Sequence, residues 1–320
     1  MGKIDFEKNF AFTSTMKNGV YVMSLDDEKV SIQEKVKLSD ETVQAYGLPT
    51  LLQRLEDGLM AGIGSYNDEP VKCYKVFAED GRQEYLGELP SSICQFCTVG
   101  DKIYTFRAEY SETGNAYFME RFDISDLTKR EASYTVSGIP KKILYDANQK
   151  KIYMLIVGEE QASMLMSFDI ASEEMKSLVI DEQMYASDFM KAGGFLYVLM
   201  SGKSEQNEII YDNRVLIYKE DFSDLEQVVT VDDSPELIEC IDDSIYIYFA
   251  NETQYIKKYD SQFQVTAQYD MDADYIMDCE KCGDTLYYVG ESSIYVLKGE
   301  ELTELAVDGA MNLNFVRRAK

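Results

Sequence analysis

Apolar residues along this chain tend to alternate with polar ones in short runs, and stretches of Gly, Asp, Asn, Lys and Glu separate the runs. Alternation of that period predicts half-buried β-strands, because successive side chains of a strand point to opposite faces of its sheet. One element returns along almost the whole chain: a polar turn, an aliphatic residue, a tyrosine, then alternating apolar positions. It occurs as Asn18-Gly19-Val20-Tyr21, Asp101-Lys102-Ile103-Tyr104, Lys150-Lys151-Ile152-Tyr153, Gly194-Phe195-Leu196-Tyr197, Asp243-Ser244-Ile245-Tyr246 and Asp284-Thr285-Leu286-Tyr287. A further copy, Asp57-Gly58-Leu59-Met60, carries methionine in the tyrosine position.

The markers at 21, 60, 104, 153, 197, 246 and 287 are separated by 39 to 49 residues. Their mean spacing of about 44 matches the roughly 40 to 50 residues of a four-stranded propeller blade. Within a period the same strand order repeats: Ile93 to Val99, the Tyr104 strand, Ala116 to Ile124 and Glu131 to Val136. Third strands tend to end in an aromatic residue and an acid, as at Phe122-Asp123, Phe168-Asp169 and Tyr259-Asp260. Such an acid suits a turn, since its side chain can accept from the backbone two residues on.

The pattern predicts an all-β chain, a seven-bladed β-propeller of four-stranded antiparallel blades forming one domain over 1–320. The blades are expected over about 4–38, 42–89, 92–136, 139–180, 184–231, 234–271 and 273–307. The first lacks an obvious fourth strand. The strand-like tail from Met311 to Arg317 is expected to pair with it and close the ring, which protects sheet edges. Between Asp40 and Glu56, Val43, Leu48, Leu51, Leu52 and Leu55 could form a helical stripe, but Gly47 and Pro49 interrupt it, leaving at most a short helical turn.

Composition narrows the chemistry. The chain has 320 residues, 58 acidic against 31 basic, for a formal charge of −27. Such a surface repels phosphate backbones and anionic lipid headgroups, so nucleic acid and membrane surfaces are poor partners, whereas a cationic ligand is compatible. The bland role of these carboxylates is solubility. No apolar run approaches the roughly 18 residues of a membrane helix, so no membrane insertion is expected. The start, Met1-Gly2-Lys3-Ile4-Asp5-Phe6, has no apolar leader run, which fits either a cytoplasmic protein or one whose leader is removed.

Histidine and tryptophan are absent. Without histidine there is no Ser-His-Asp or Cys-His pair, no His-ligated iron and no zinc site of the hydrolytic kind. Gly62-Ile63-Gly64 lacks the further glycine and the strand-to-helix setting of a phosphate loop. Six cysteines stand at 73, 94, 97, 240, 279 and 282, with CxxC spacing at Cys94/Cys97 and Cys279/Cys282. Two such pairs can build a four-thiolate zinc site. Here each pair falls in or beside the first strand of a unit, where residues i and i+3 point to opposite faces, so buried free thiols are the preferred reading. No cofactor, metal or catalytic residue is expected.

A ligand would meet the long loops between second and third strands and the blade junctions. These supply Tyr66, Asp68, Glu109, Tyr110, Glu205, Asn207, Tyr211, Asp212, Asp274 and Tyr275 as candidate binding residues. Tyrosine with acids and amides can stack on and hydrogen-bond sugars, or attract basic peptides. Plain solvated loops are the alternative, and blade packing is the plain role of the marker tyrosines.

The aliphatic-Tyr markers at Val20-Tyr21, Ile103-Tyr104, Ile152-Tyr153, Leu196-Tyr197, Ile245-Tyr246 and Leu286-Tyr287 give the chain a resemblance to divergent, Tyr-rich bacterial propellers. These are the YVTN-like or LRP-like repeats of surface lipoproteins and related exported proteins. The resemblance implies a monomeric, non-catalytic binding or scaffold propeller outside the cytoplasm, its leader removed, recognising protein or glycan through the long-loop face. A cytoplasmic scaffold is the alternative location. The alternative activity is a carboxylate-dependent glycoside hydrolase or lyase with Asp/Glu and Tyr at the channel mouth, chemistry that needs no histidine.

Overall fold

The computed structural model describes residues 11–14, 20–26, 31–39, 50–55, 57–63, 70–112, 114–157, 163–181, 183–205, 208–250, 253–272, 275–290, 293–306 and 314–315. All of the regular structure among them is β. The strands begin with β1 (Ala11–Ser14), β2 (Val20–Asp26) and β3 (Ser31–Ser39). There follow β4 (Thr50–Leu55), β5 (Gly58–Ile63), β6 (Val71–Phe77) and β7 (Gln83–Leu89), then β8 (Ile93–Val99), β9 (Lys102–Ser111), β10 (Gly114–Asp123) and β11 (Asp126–Val136). The middle of the chain forms β12 (Ile139–Asp146), β13 (Lys151–Val157), β14 (Ser163–Asp169) and β15 (Glu174–Asp181). Next come β16 (Tyr185–Ala192), β17 (Phe195–Glu205), β18 (Glu208–Tyr211), β19 (Arg214–Lys219) and β20 (Leu225–Thr230). The last are β21 (Pro235–Ile241), β22 (Ser244–Ala250), β23 (Gln254–Tyr259), β24 (Val265–Met271), β25 (Ile276–Cys282), β26 (Thr285–Gly290), β27 (Ser293–Lys298), β28 (Glu301–Ala306) and β29 (Asn314–Phe315).

Six sheets are built from consecutive strands, β4–β7, β8–β11, β12–β15, β16–β20, β21–β24 and β25–β28, and these are the blades. A further sheet, in the order β29-β1-β2-β3, is composite: three strands from the start of the chain and one from its far end. The structure thus shows six blades of the expected build, and the seven equivalent blades read from the sequence are corrected to six. Among the described residues the segment ahead of Thr50 supplies three strands, one fewer than a blade built from consecutive strands. The expected tail pairing is seen at Phe12↔Phe315 and Thr13↔Asn314; the rest of 311–317 lies outside the described residues. Residues 40–49, part of the weighed helix, lie outside the described residues, and Leu51, Leu52 and Leu55 belong to strand β4.

Every marker residue falls on the second strand of its sheet. Met60, Tyr104, Tyr153, Tyr246 and Tyr287 are buried, which makes packing their role. At three third strands the acid expected there closes the turn: Asp123 accepts from Ser125 N at 2.8 Å, Asp169 from Ala171 N at 3.0 Å and Asp260 from Gln262 N at 2.9 Å.

Two compact units are distinguished. The first comprises 1–139, 289–294 and 304–320. Its core between neighbouring blades joins Met60, Val71, Leu89 and Cys73 to Ile93, Phe96, Ile103, Phe122 and Leu127. The second comprises 140–288 and 295–303. Its cores join Tyr153 and Leu165 to Phe189, Leu196 and Val198, then Leu199 and Ile217 to Ile247 and Phe249, then Tyr248 and Ile256 to Leu286 and Tyr288. In each case two blades bury apolar faces that neither could bury alone.

Candidate functional site

Within the second unit the first strands of successive blades carry charges inside otherwise apolar runs: Lys142 on β12, Asp188 on β16, Glu236 and Glu239 on β21, and Asp278 on β25. β16 lies beside β21, and β21 beside β25. The register of β16 skips a residue between Ala186 and Asp188, and that of β21 skips one between Pro235 and Leu237. A bulge of this kind bends the strand and re-aims its side chains. The extra residue of β16, Ser187, turns its hydroxyl to the Pro235 carbonyl at 2.6 Å; the extra residue of β21 is Glu236.

Asp188, only 3% exposed, is the hub. Lys142 Nζ reaches its two oxygens at 2.8 and 3.0 Å. The Ile238 amide donates to Oδ2 at 3.0 Å and the Phe189 amide to Oδ1 at 2.8 Å. One carboxylate thereby ties three neighbouring sheets. Burial pushes the Asp188 pKa up, and Lys142 opposes the rise. Burial also pulls on the Lys142 ammonium, but the negative field of Asp188, Glu239 and Asp278 overcomes it and holds the proton firmly. Glu236 is partly exposed at the end of this row. Burial raises its pKa, Lys141 opposes and Asp188 adds. Beside it the half-exposed Tyr275 has its phenol pKa raised by burial and by the Glu236 charge.

The residues singled out from the sequence fall in several places. Tyr66, Asp68, Asn207 and Asp274 lie outside the described residues. Glu109 and Tyr110 share the end of β9, Tyr110 67% exposed and Glu109 paired with Arg107 at 2.5 Å. Glu205 and Tyr211 lie on the two-stranded ribbon β17–β18, which the sequence pattern suggests is a long loop, and Asp212 follows directly after β18. Glu205 pairs with Lys203 at 2.6 Å, and Tyr211 is 61% exposed. Asp212 is buried and points to structure: Arg214 Nε donates to its oxygens at 2.9 and 3.0 Å, and Arg214 also reaches Asp181 at 3.3 Å. The Lys142–Asp188 row escaped the sequence reading. Its signal was a charge within each of the runs Ala186-Ser187-Asp188-Phe189-Met190 and Leu237-Ile238-Glu239-Cys240.

The six cysteines are free thiols; Cys94/Cys97 lie on β8 and Cys279/Cys282 on β25. Burial pushes the thiols of Cys73 and Cys97 up to about 12.

No family model matches the chain, and no curated protein matches it in sequence. Solved structures do. A candidate 6-phosphogluconolactonase from Bacteroides uniformis matches over 96% of this chain and 99% of its own, at 14% identity and a TM-score of 0.65. One from Bacteroides fragilis covers 98% and 99%, at 14% identity and 0.66. The β-propeller domain of the Trilobed protease from Pyrococcus furiosus covers 80% and 85%, at 11% identity and 0.54. At these identities the likeness establishes a fold and nothing finer, and that fold is the β-propeller.

Proposed function

We propose that the chain is a non-catalytic binding propeller that takes an extended segment of a protein ligand along the β17–β18 ribbon. The observation that carries this reading is the ribbon's build. Among the described residues β18 hydrogen-bonds only to β17, so its outer edge offers backbone N–H and C=O groups for strand addition. Ile210 and Tyr211 stand exposed along it, and exposed tyrosine is a favoured contact residue. The base is braced: Asp212 N donates to Ser201 O at 3.2 Å, Ser234 Oγ to the same carbonyl at 2.8 Å, and Val231 N to Asn213 O at 2.8 Å. Gly202, at φ +123°, lets the two strands approach, since a Cβ there would lie 2.1 Å from the Ile210 carbonyl oxygen. A ribbon held this way is ordered before a ligand arrives, which lowers the entropy cost of binding.

The Bacteroides likenesses raise a sugar-phosphate lactone as a substrate. The inner row argues against it, because Asp188, Glu236, Glu239 and Asp278 outnumber Lys141 and Lys142, and a phosphate would be repelled. Selection of a phage-displayed random peptide library on the purified chain tests the proposal. Peptides are expected that bind the wild type and lose at least about thirtyfold in affinity on Ile210→Asp and on Tyr211→Ala, the scale of an interface hot spot. A blank selection, equal binding to the variants, or hydrolysis of 6-phosphogluconolactone above its spontaneous rate would each overturn it.

A further inference from the structure

The first unit carries a groove of about 730 Å³ between the outer strands of two neighbouring blades, β7 and β11. Leu89, Phe122 and Leu127 form its floor and Pro90 one wall, while Tyr85 and Arg130 stand at its mouth. The volume falls in the range of about 300 to 1,000 Å³ that suits small organic ligands. Both strands are bulged beside it. The pairing of β6 with β7 passes from Cys73↔Gly87 to Tyr74↔Tyr85, and that of β10 with β11 from Arg121↔Ala132 to Phe122↔Arg130. The extra residues are Leu86 and Glu131, so Tyr85 and Arg130 stand directly beside the bulges, where a strand bends and twists more strongly. Gly87, at φ +127°, leaves the space above Leu127 open: a Cβ there would already touch the Leu127 side chain at 3.7 Å.

Arg130 has a further property. Its Nη1 donates to Glu120, a carboxylate with no exposure at all, which Arg107 also holds through Nε at 3.2 Å and Nη2 at 3.1 Å. Glu120 therefore anchors the Arg130 guanidinium by one corner, and the side chain remains 51% exposed. A guanidinium has five N–H groups in a fixed fork, and the bond to Glu120 engages only Nη1. Glu88 lines the groove too, beside Tyr85, whose phenol pKa is raised by burial and then by the Glu88 charge.

We propose that this groove is a binding site for a small carboxylic acid with a ring-sized apolar body. The body lies on Leu89, Phe122 and Leu127 beneath the Tyr85 ring, and the carboxylate takes a charge-assisted hydrogen bond from the open edge of Arg130. The site is separate from the β17–β18 ribbon and stands whether or not that ribbon binds protein.

Because the chain contains no tryptophan, N-acetyltryptophan is a fluorescent probe without a tryptophan background when excited beyond the tyrosine absorption band. Its emission is expected to rise and shift to the blue saturably as the chain is added, with N-acetyltryptophanamide, which lacks the carboxylate, at least about tenfold weaker. Arg130→Lys keeps a cation beside Glu120 but loses the fork, and should erase the preference for the acid. Tyr85→Ala, at an exposed position, should weaken both probes severalfold with an unchanged melting temperature. No saturable change at 10 mM probe (about the weakest affinity worth the name), equal affinity for acid and amide, or binding unaltered in both variants would each overturn the proposal.

Discussion

Removing the Asp188 carboxylate with Asp188→Ala strips Lys142 of its closest counter-charge and leaves the Ile238 amide without its acceptor. Breaking a buried ion pair from one side costs about 3 to 5 kcal/mol. The lower end applies here, because Glu239 and Asp278 still act on Lys142 and a fifth of that side chain is exposed. An orphaned buried N–H adds on the order of 1 kcal/mol, for a total of about 4 kcal/mol. With an unfolding entropy of about 2.1 cal/mol/K per residue over the chain, that lowers Tm by about 6 °C, or about 12 °C if the unit holding Asp188 melts alone. Calorimetry and guanidinium titration of Asp188→Ala, Lys142→Met and the double variant measure it. The double variant is expected to lose at least about 2 kcal/mol less than the sum of the singles, since neither buried charge is then stranded. In Lys142→Met only the Ile238 and Phe189 amides still oppose burial at Asp188, so its folded pKa, already raised, stands further above the unfolded value of about 3.9. The stabilisation is then whole below that value and is lost as pH rises through the folded pKa, so this variant should approach wild type in acid and fall furthest behind it at neutral pH. A loss under about 0.5 kcal/mol for Asp188→Ala, or strict additivity in the double variant, would refute the reasoning.

Two further outcomes follow from the charges and thiols. Ellman's reagent at pH 8 should label Cys94, Cys240 and Cys282, which are partly exposed, well ahead of Cys73, Cys97 and Cys279, whose burial raises their pKa; labelling of all six at one rate would contradict the burial pattern. Glu120, whose burial is outweighed by Arg107 and Arg130, and Asp146, outweighed likewise by Lys191 and backbone amides, have pKa values below the usual carboxylate range. Their stabilisation is present above the unfolded pKa of about 4 and disappears as pH falls through the folded values. The guanidinium midpoint should drop between pH 5 and 3, less steeply in Arg107→Gln, and an identical slope in that variant would remove Glu120 from the account.

The fold was legible because its signals are local. Alternation, the aliphatic-Tyr marker and the acid two residues before a turn amide each act within a few residues, and each is realised as read. The blade count failed at the first unit: the tail's pairing with β1 was legible, but the composite sheet it makes is not one of the six blades built from consecutive strands. The binding residues were harder still. Glu205 and Tyr211 read as loop because a ribbon of one long and one short strand has the polarity of a loop. Asp212 read as a ligand group because nothing near it in sequence shows that Arg214 will bury its carboxylate. Lys142 and Asp188 are 46 residues apart, so only the folded chain reveals that two charges in apolar runs answer each other.

The composite sheet bears on synthesis as well as on stability. On the ribosome β1 emerges about 300 residues ahead of its partner β29. Until β29 has been made, β1 keeps an open edge, free to pair with whatever strand passes. A chain arrested or cleaved early would keep that edge permanently, and its natural fate is to associate with its own kind, so cells making this protein have reason to finish each copy or destroy it.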